Sequence, residues 1–193
     1  MLNIALYGEV DKRPLVYGLF KLLQHFGDVL FVTDECHYKR LLEDRTESGY
    51  FQNITVCVSP DVTPDTVFDF IKRVPEEFDA IIWDTKEYIP DNLTVTFACE
   101  SYRDAFIDDD ILDCFPEPKS IVKFMYDKKK DTDIHNIRMT VDIFRYVEKV
   151  EAFKMLDAFK FKEISTIFEK ELSTHLGVDS KAIRKLLEKG WEA

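Results

Sequence analysis

Four short apolar runs limit what this chain can become. Asn3–Leu6, Val29–Thr33, Ile54–Val58 and Ala80–Trp83 are almost continuously apolar and too short to be stable isolated helices. A strand covered on one face alternates apolar with polar residues; a continuous run needs cover on both. Runs of this kind mark the inner strands of a parallel sheet with helices on each side. Leu93–Ala98 and Ile121–Tyr126 read as two further strands.

The segments between the runs supply the cover. Pro14 suits the first turn of a helix, where its missing N–H costs nothing. Leu15, Val16, Leu19, Phe20, Leu22, Leu23 and Phe26 then make a wide apolar face, closed by Gly27. Cys36–Leu42 reads as a short helix, followed by a polar loop from Glu43 to Gln52. Pro64–Val74 reads as a helix with Val67, Phe68, Phe70 and Ile71 inward. Tyr102–Leu112 reads as a very acidic helix. Strand and helix alternate, so the expected class is α/β, a doubly wound, mostly parallel sheet flanked by helices.

The last third differs. Tyr126–Met139 reads as a polar loop and Thr140–Val147 as strand or helix. Phe161–Leu176 reads as a helix, then a turn with Gly177 as its stop and Asp179 or Ser180 as the next cap. A final helix follows over Ser180–Lys189. The expected organisation is an α/β domain over 1–155 and a C-terminal helical extension over 156–193, packed on the same domain. Ile183, Leu186 and Leu187 form a stripe with two readings, core packing or a partner-binding helix.

With 193 residues, 46% apolar, such a domain can bury a normal core. The net charge of -11 opposes nucleic acid and anionic membranes unless a local basic patch exists. Cys36, Cys57, Cys99 and Cys114 show no C-x-x-C spacing and read as free, mostly buried thiols of a reducing cytoplasm, not as a zinc site. Met1 leads straight into a strand, and no apolar run reaches the ~20 residues that span a bilayer. His25, His37, His135 and His175 are scattered, and no nucleophile elbow or metal-ligand spacing is present.

The order of motifs resembles the MinD/ParA family of P-loop ATPases, including the CpaE/TadZ-type proteins that localise pilus machinery. The resemblance covers roughly residues 2 to 155. Strand, loop and long helix open the chain. Asp28–Glu35 ("DVLFVTDE") is similar to the second strand with its terminal acid, and Phe78–Thr85 ("FDAIIWDT") to the Walker B strand. The phosphate loop departs from the pattern. K-G-G-V-G-K-T-T falls on Tyr7, Gly8, Glu9, Val10, Asp11, Lys12, Arg13 and Pro14, so only Gly8, Val10 and Lys12 agree. Carboxylates at Glu9 and Asp11 repel a polyphosphate, and Arg13 cannot ligate magnesium. Pro-Pro after Walker B is Lys86-Glu87.

The resemblance thus implies a non-hydrolysing protein that binds or positions partners in a bacterial assembly such as a pilus, secretion, conjugation or partition apparatus. A protein partner and a homodimer are expected, with no catalytic residue, cofactor or metal. The alternative is a nucleotide-dependent ATPase or switch, in which Gly8, Lys12, Arg13 and Asp84 would hold ATP and Mg²⁺, with Asp34 near the metal. A simpler reading makes Lys12 and Arg13 a solvated turn paired with Glu9 and Asp11, and Asp84 an exposed or loop-bonded strand end. A middle one puts Glu9 and Asp11 in the space of the phosphates. A receiver-like module fits less well, because its acceptor acid ends an earlier strand than Asp84 does.

Overall fold

The structure, a computed structural model, describes residues 1–8, 10–88, 90–101, 119–125, 135–138 and 162–188. The expected elements at Tyr102–Leu112 and Thr140–Val147 lie outside these, as do Glu9, Cys114 and Trp191.

The chain is α/β. Among the described residues eight strands form one sheet: β1 (Leu2–Tyr7), β2 (Val29–Thr33), β3 (Ser48–Phe51), β4 (Ile54–Val58), β5 (Ala80–Asp84), β6 (Val95–Ser101), β7 (Lys119–Met125) and β8 (His135–Arg138). Their order is β3-β4-β2-β5-β1-β6-β7-β8, and every pairing is parallel except β3 with β4. Two regions read as polar loops therefore contain strands. Ser48–Phe51 is the antiparallel edge strand, turned back on β4 through Gln52 at φ +53°. His135–Arg138 is the opposite edge among the described residues.

The inner strands divide their side chains by period two. Leu2, Ile4, Leu6, Val29, Phe31, Ile54, Val56, Ile82 and Phe97 join one apolar cluster with helix α1 (Arg13–Leu23). Ala5, Leu30, Val32, Cys57, Ile81 and Trp83 join another, with Val67 of α2 (Val67–Ile71) and Phe78. Burial on both faces explains why these strands read as unbroken apolar runs.

The first cluster also holds the C-terminal helices α3 (Lys162–Glu171), α4 (Ser173–Leu176) and α5 (Ser180–Glu188), through Ile164, Ile167, Phe168, Leu172, Ile183 and Leu187. The stripe on α5 is thus core packing at Ile183 and Leu187, both almost wholly buried. A side chain at Gly18 of α1 would meet Ile164 Cγ2 at 2.8 Å and the ring of Phe168 at 3.2 Å, so the bare backbone there admits α3. Gly177 sits at φ +66°, and Asp179 Oδ1 accepts the Ala182 N–H at 2.7 Å, which caps α5.

Two helices are shorter than their apolar patterns. The segment expected over Pro64–Val74 is helical only over Val67–Ile71, because Lys72 turns left-handed at φ +56°. Phe70, expected inside, is exposed. Cys36–Leu41 is a 3₁₀ turn in place of a helix to Leu42. Cys57 and Cys99 are buried and Cys36 is exposed; all three are free thiols.

Phe168 is fully buried, with its ring 6.4 Å from that of Phe97 on β6. Phe168→Ala is expected to lower unfolding free energy by about 3–5 kcal/mol in urea titrations, through lost burial and a residual cavity.

Candidate functional site

The β1–β5 pairing builds the site. Leu2 lies opposite Ala80 and Ala5 opposite Trp83, so the loop after β1 and Asp84, one residue past Trp83, share the carboxyl edge of the parallel strands. That edge is where open α/β sheets receive ligands. Gly8 leaves β1 at φ +121°, and a Cβ there would stand 2.0 Å from the Cys99 carbonyl oxygen of β6. Only glycine fits so close an approach at that dihedral.

Lys12 is only 6% exposed and Asp84 only 1%. The Lys12 ammonium donates to the Gly8 carbonyl oxygen, and its Nζ lies 2.9 Å from Asp84 Oδ1, an ion pair rather than an aligned hydrogen bond. Lys12 is therefore not part of a solvated turn, and Asp84 is not exposed and, among the described residues, not bonded to loop backbone. Both readings are corrected by one fact absent from the sequence, the adjacency of β1 and β5.

Arg13 and Asp11 pair within the loop. Asp11 Oδ1 accepts from the Arg13 backbone N–H at 3.2 Å and from Nε at 2.7 Å, while Oδ2 accepts from Nη2. A carboxylate thus sits on the amino end of α1, where the helix dipole and open N–H groups favour an anion.

Three residues that pattern reasoning did not single out as a site complete it. Glu35, His37 and Tyr38 come from the end of β2 and the 3₁₀ turn. Tyr38 is buried against Phe31 and Tyr17, with ring centroids 4.9 and 6.3 Å away. Its one sequence signal is an aromatic in a short amphipathic stretch, which marks core as readily as site. Glu35 receives Lys86 Nζ at 3.0 Å, and Asp34 Oδ2 accepts the Lys86 backbone N–H at 2.8 Å, so the segments after β2 and β5 are tied together. These residues line an open cavity of about 330 Å³; Lys12, Tyr38 and Asp84 are buried, and Asp11, Arg13, Glu35 and His37 are more exposed. Gly8 contributes through its carbonyl.

Burial pushes the Asp84 carboxyl up to about 6; the Lys12 ammonium pulls it back only in part. Burial likewise raises Tyr38 well above the ordinary phenol, with the Asp84 charge adding to the effect. Burial, with Arg13 nearby, holds His37 below its ordinary value. Burial opposes ionisation of Glu35, but the Lys86 contact outweighs it and lowers the carboxyl. Among the described residues no group of three His, Cys, Asp or Glu side chains could hold a metal ion. Among them, too, no helix is long and apolar enough to cross a membrane.

No model of a known protein family matches the chain, and no curated protein matches it.

Ionised Asp84 is a net cost to the fold, because its carboxyl is raised despite the neighbouring cation. Native Asp84 holds its proton to higher pH than the unfolded chain does, so its stabilising contribution is full below about pH 4 and lost by about pH 6. The stability of the wild type relative to Asp84→Asn is expected to fall by about 3 kcal/mol across that window, read from urea titrations at several pH values. At pH 7 Lys12→Met is expected to cost about 3 kcal/mol by leaving a buried carboxylate alone. The double variant Lys12→Met/Asp84→Leu should recover most of that loss.

Proposed function

We propose that this chain is a non-hydrolysing relative of the MinD/ParA ATPases that binds or positions other proteins. Its context would be a bacterial pilus, secretion, conjugation or partition assembly. On this reading the sheet is doubly wound throughout, the C-terminal helices are an extension of the ATPase-like domain, and the protein works in the cytoplasm, as a homodimer or with a protein partner.

The observation that carries the reading is the carboxylate of Asp11 on the amino end of α1. In a phosphate loop that position receives the anion. Here it is filled by the chain itself, and the guanidinium that could have met a phosphate is bound to the same carboxylate. The loop lysine is also engaged, by the Gly8 carbonyl and Asp84. An internal acid thus takes the phosphate's place and holds one loop conformation without nucleotide. What remains to act is surface, hence a role through protein contacts.

One observation favours a second reading. Lys12 and Asp84 stand side by side at the strand edge, as a loop lysine and a Walker B acid would. A nucleotide-dependent switch would need Mg·ATP to break the Lys12–Asp84 and Arg13–Asp11 pairs.

Calorimetric titration of ATP and ADP, with and without Mg²⁺ at physiological salt, separates the two. The expected result is no saturable heat at millimolar ligand. Micromolar, Mg²⁺-dependent binding with turnover that Lys12→Ala abolishes would overturn the proposal in favour of the switch.

A further inference from the structure

The edge strand β3 leaves backbone groups open to a further strand. Glu47, just before it, accepts the Val58 N–H of β4 on its carbonyl oxygen at 2.6 Å, and bonding alternates along an antiparallel pair. Gly49 and Phe51 therefore bond β4, while the N–H and C=O groups of Ser48 and Tyr50 point away from the sheet. Among the described residues only the Ser48 carbonyl has a partner there, the Thr46 hydroxyl at 2.9 Å, and it keeps a second lone pair. Native sheets guard such edges with lysine, proline or a bulge. Ser48–Phe51 reads Ser-Gly-Tyr-Phe in unbroken register and has none of them.

Large apolar side chains collect beside this edge. Among the described residues the exposed ones are Met1, Tyr50, Phe70 and Val74. The last three lie on the α2 side of the sheet. Tyr50 stands opposite Thr55 of β4, and Thr55 Oγ1 accepts from Arg73 Nη1 at 2.9 Å, with Val74 next in the chain. Charge is balanced here, although the whole chain carries -11. Lys39, Arg40 and Arg45 match Glu43, Asp44 and Glu47 in the segment leading into β3. Lys72 and Arg73 match Glu76 and Glu77 in the turn after α2. A basic partner finds no excess of acid at this edge, and two copies of an acidic protein meet with least repulsion at a neutral patch.

We propose that a second copy of the chain docks here, the two β3 strands pairing antiparallel about a two-fold axis at Gly49. Ser48 of each copy then lies opposite Tyr50 of the other, and each such pair exchanges N–H···O bonds through the groups left open. Gly49 meets itself at the axis, in the closer kind of pair, with no side chain in the way. Glu47 falls opposite Phe51 and Arg45 opposite Asn53, so no like charges face each other. The two Tyr50 rings come within reach diagonally across the axis. The contact is at the small end of specific interfaces, so a dissociation constant on the order of micromolar to tens of micromolar is expected. The inference goes beyond the non-hydrolysing role by naming a surface for self-association. That surface is the lateral edge of the sheet, not the carboxyl edge where Lys12 and Asp84 sit, and it needs no nucleotide.

The test is sedimentation equilibrium on the full chain without nucleotide, from about 1 μM to about 1 mM. A monomer–dimer equilibrium is expected, and it should tighten as salt rises from about 0.01 M to about 0.15 M, because repulsion between the acidic copies is screened. Tyr50→Lys puts a charge on the edge, and Ser48→Pro removes an outward N–H without touching the bonds to β4. Each variant, checked for folding by circular dichroism, is expected to weaken the dimer by about tenfold or more. Register is read by cross-linking. With the exposed thiol removed as Cys36→Ser, a mixture of Ser48→Cys and Tyr50→Cys chains, oxidised with copper phenanthroline, should give more disulfide dimer than either variant alone. A chain still monomeric at about 1 mM overturns the proposal and leaves the edge to an extended segment of another protein. So does a dimer that either edge variant leaves unchanged, or cross-linking no better in the mixture. ATP turnover would refute the non-hydrolysing reading separately, since self-association is measured without nucleotide.

Discussion

Two parallel strands lying side by side, β1 and β5, organise the molecule. Their pairing places the loop that opens α1 next to the acid that ends the central apolar run. Because both strands are covered on each face, Asp84 has almost no water to solvate it, and the nearest source of compensation is the ammonium of Lys12. The compensation is incomplete, since burial still keeps the carboxyl high. A pair of this kind is poor support for a fold. Well-packed apolar residues in the same volume usually do as well or better. That Lys12 and Asp84 nonetheless occupy the inside of a sheet edge is a reason to look for chemistry there.

The loop resolves a competition between ligand and self. A helix beginning with open N–H groups attracts anions, and the candidates are a solute or the chain's own carboxylates. Asp11 is covalently attached two residues away from the N–H it accepts, so its effective concentration is high and its entropic cost small. The bidentate contact with Arg13 then fixes both side chains. A solute anion would have to break these contacts and bear the repulsion of Asp84 and Glu35. Electrostatics inside a half-closed cavity are stronger than in water, which favours the internal solution further.

Much of this fold was legible because inner strands are buried on both faces. Unbroken apolar runs identify β1, β2, β4 and β5, and Pro14 with the apolar face after it identifies α1. The two strands that escaped pattern reading, Ser48–Phe51 and His135–Arg138, are the sheet's edges. An edge strand is half solvated and short, so its composition resembles a loop. Lys12, Arg13, Gly8 and Asp84 could be named from sequence through the resemblance to a phosphate loop, and the expected pairing of a loop cation with Asp11 is found for Arg13. That Lys12 meets Asp84 depends on strand order, and no spacing along the chain encodes it. Tyr38 was harder still: its ring belongs to the core and also lines the cavity, and the sequence shows only an aromatic residue.

The tight seat of Gly8 has a mechanical meaning. A methyl group on its α-carbon would stand 2.0 Å from the Cys99 carbonyl oxygen of β6, so there is no room for one. The loop that carries Lys12 is therefore pinned at one point to the strand that leads into the β7–β8 side of the sheet. Any side chain introduced at Gly8 would have to push the loop away from β6, and the strain would fall beside the Lys12–Asp84 contact.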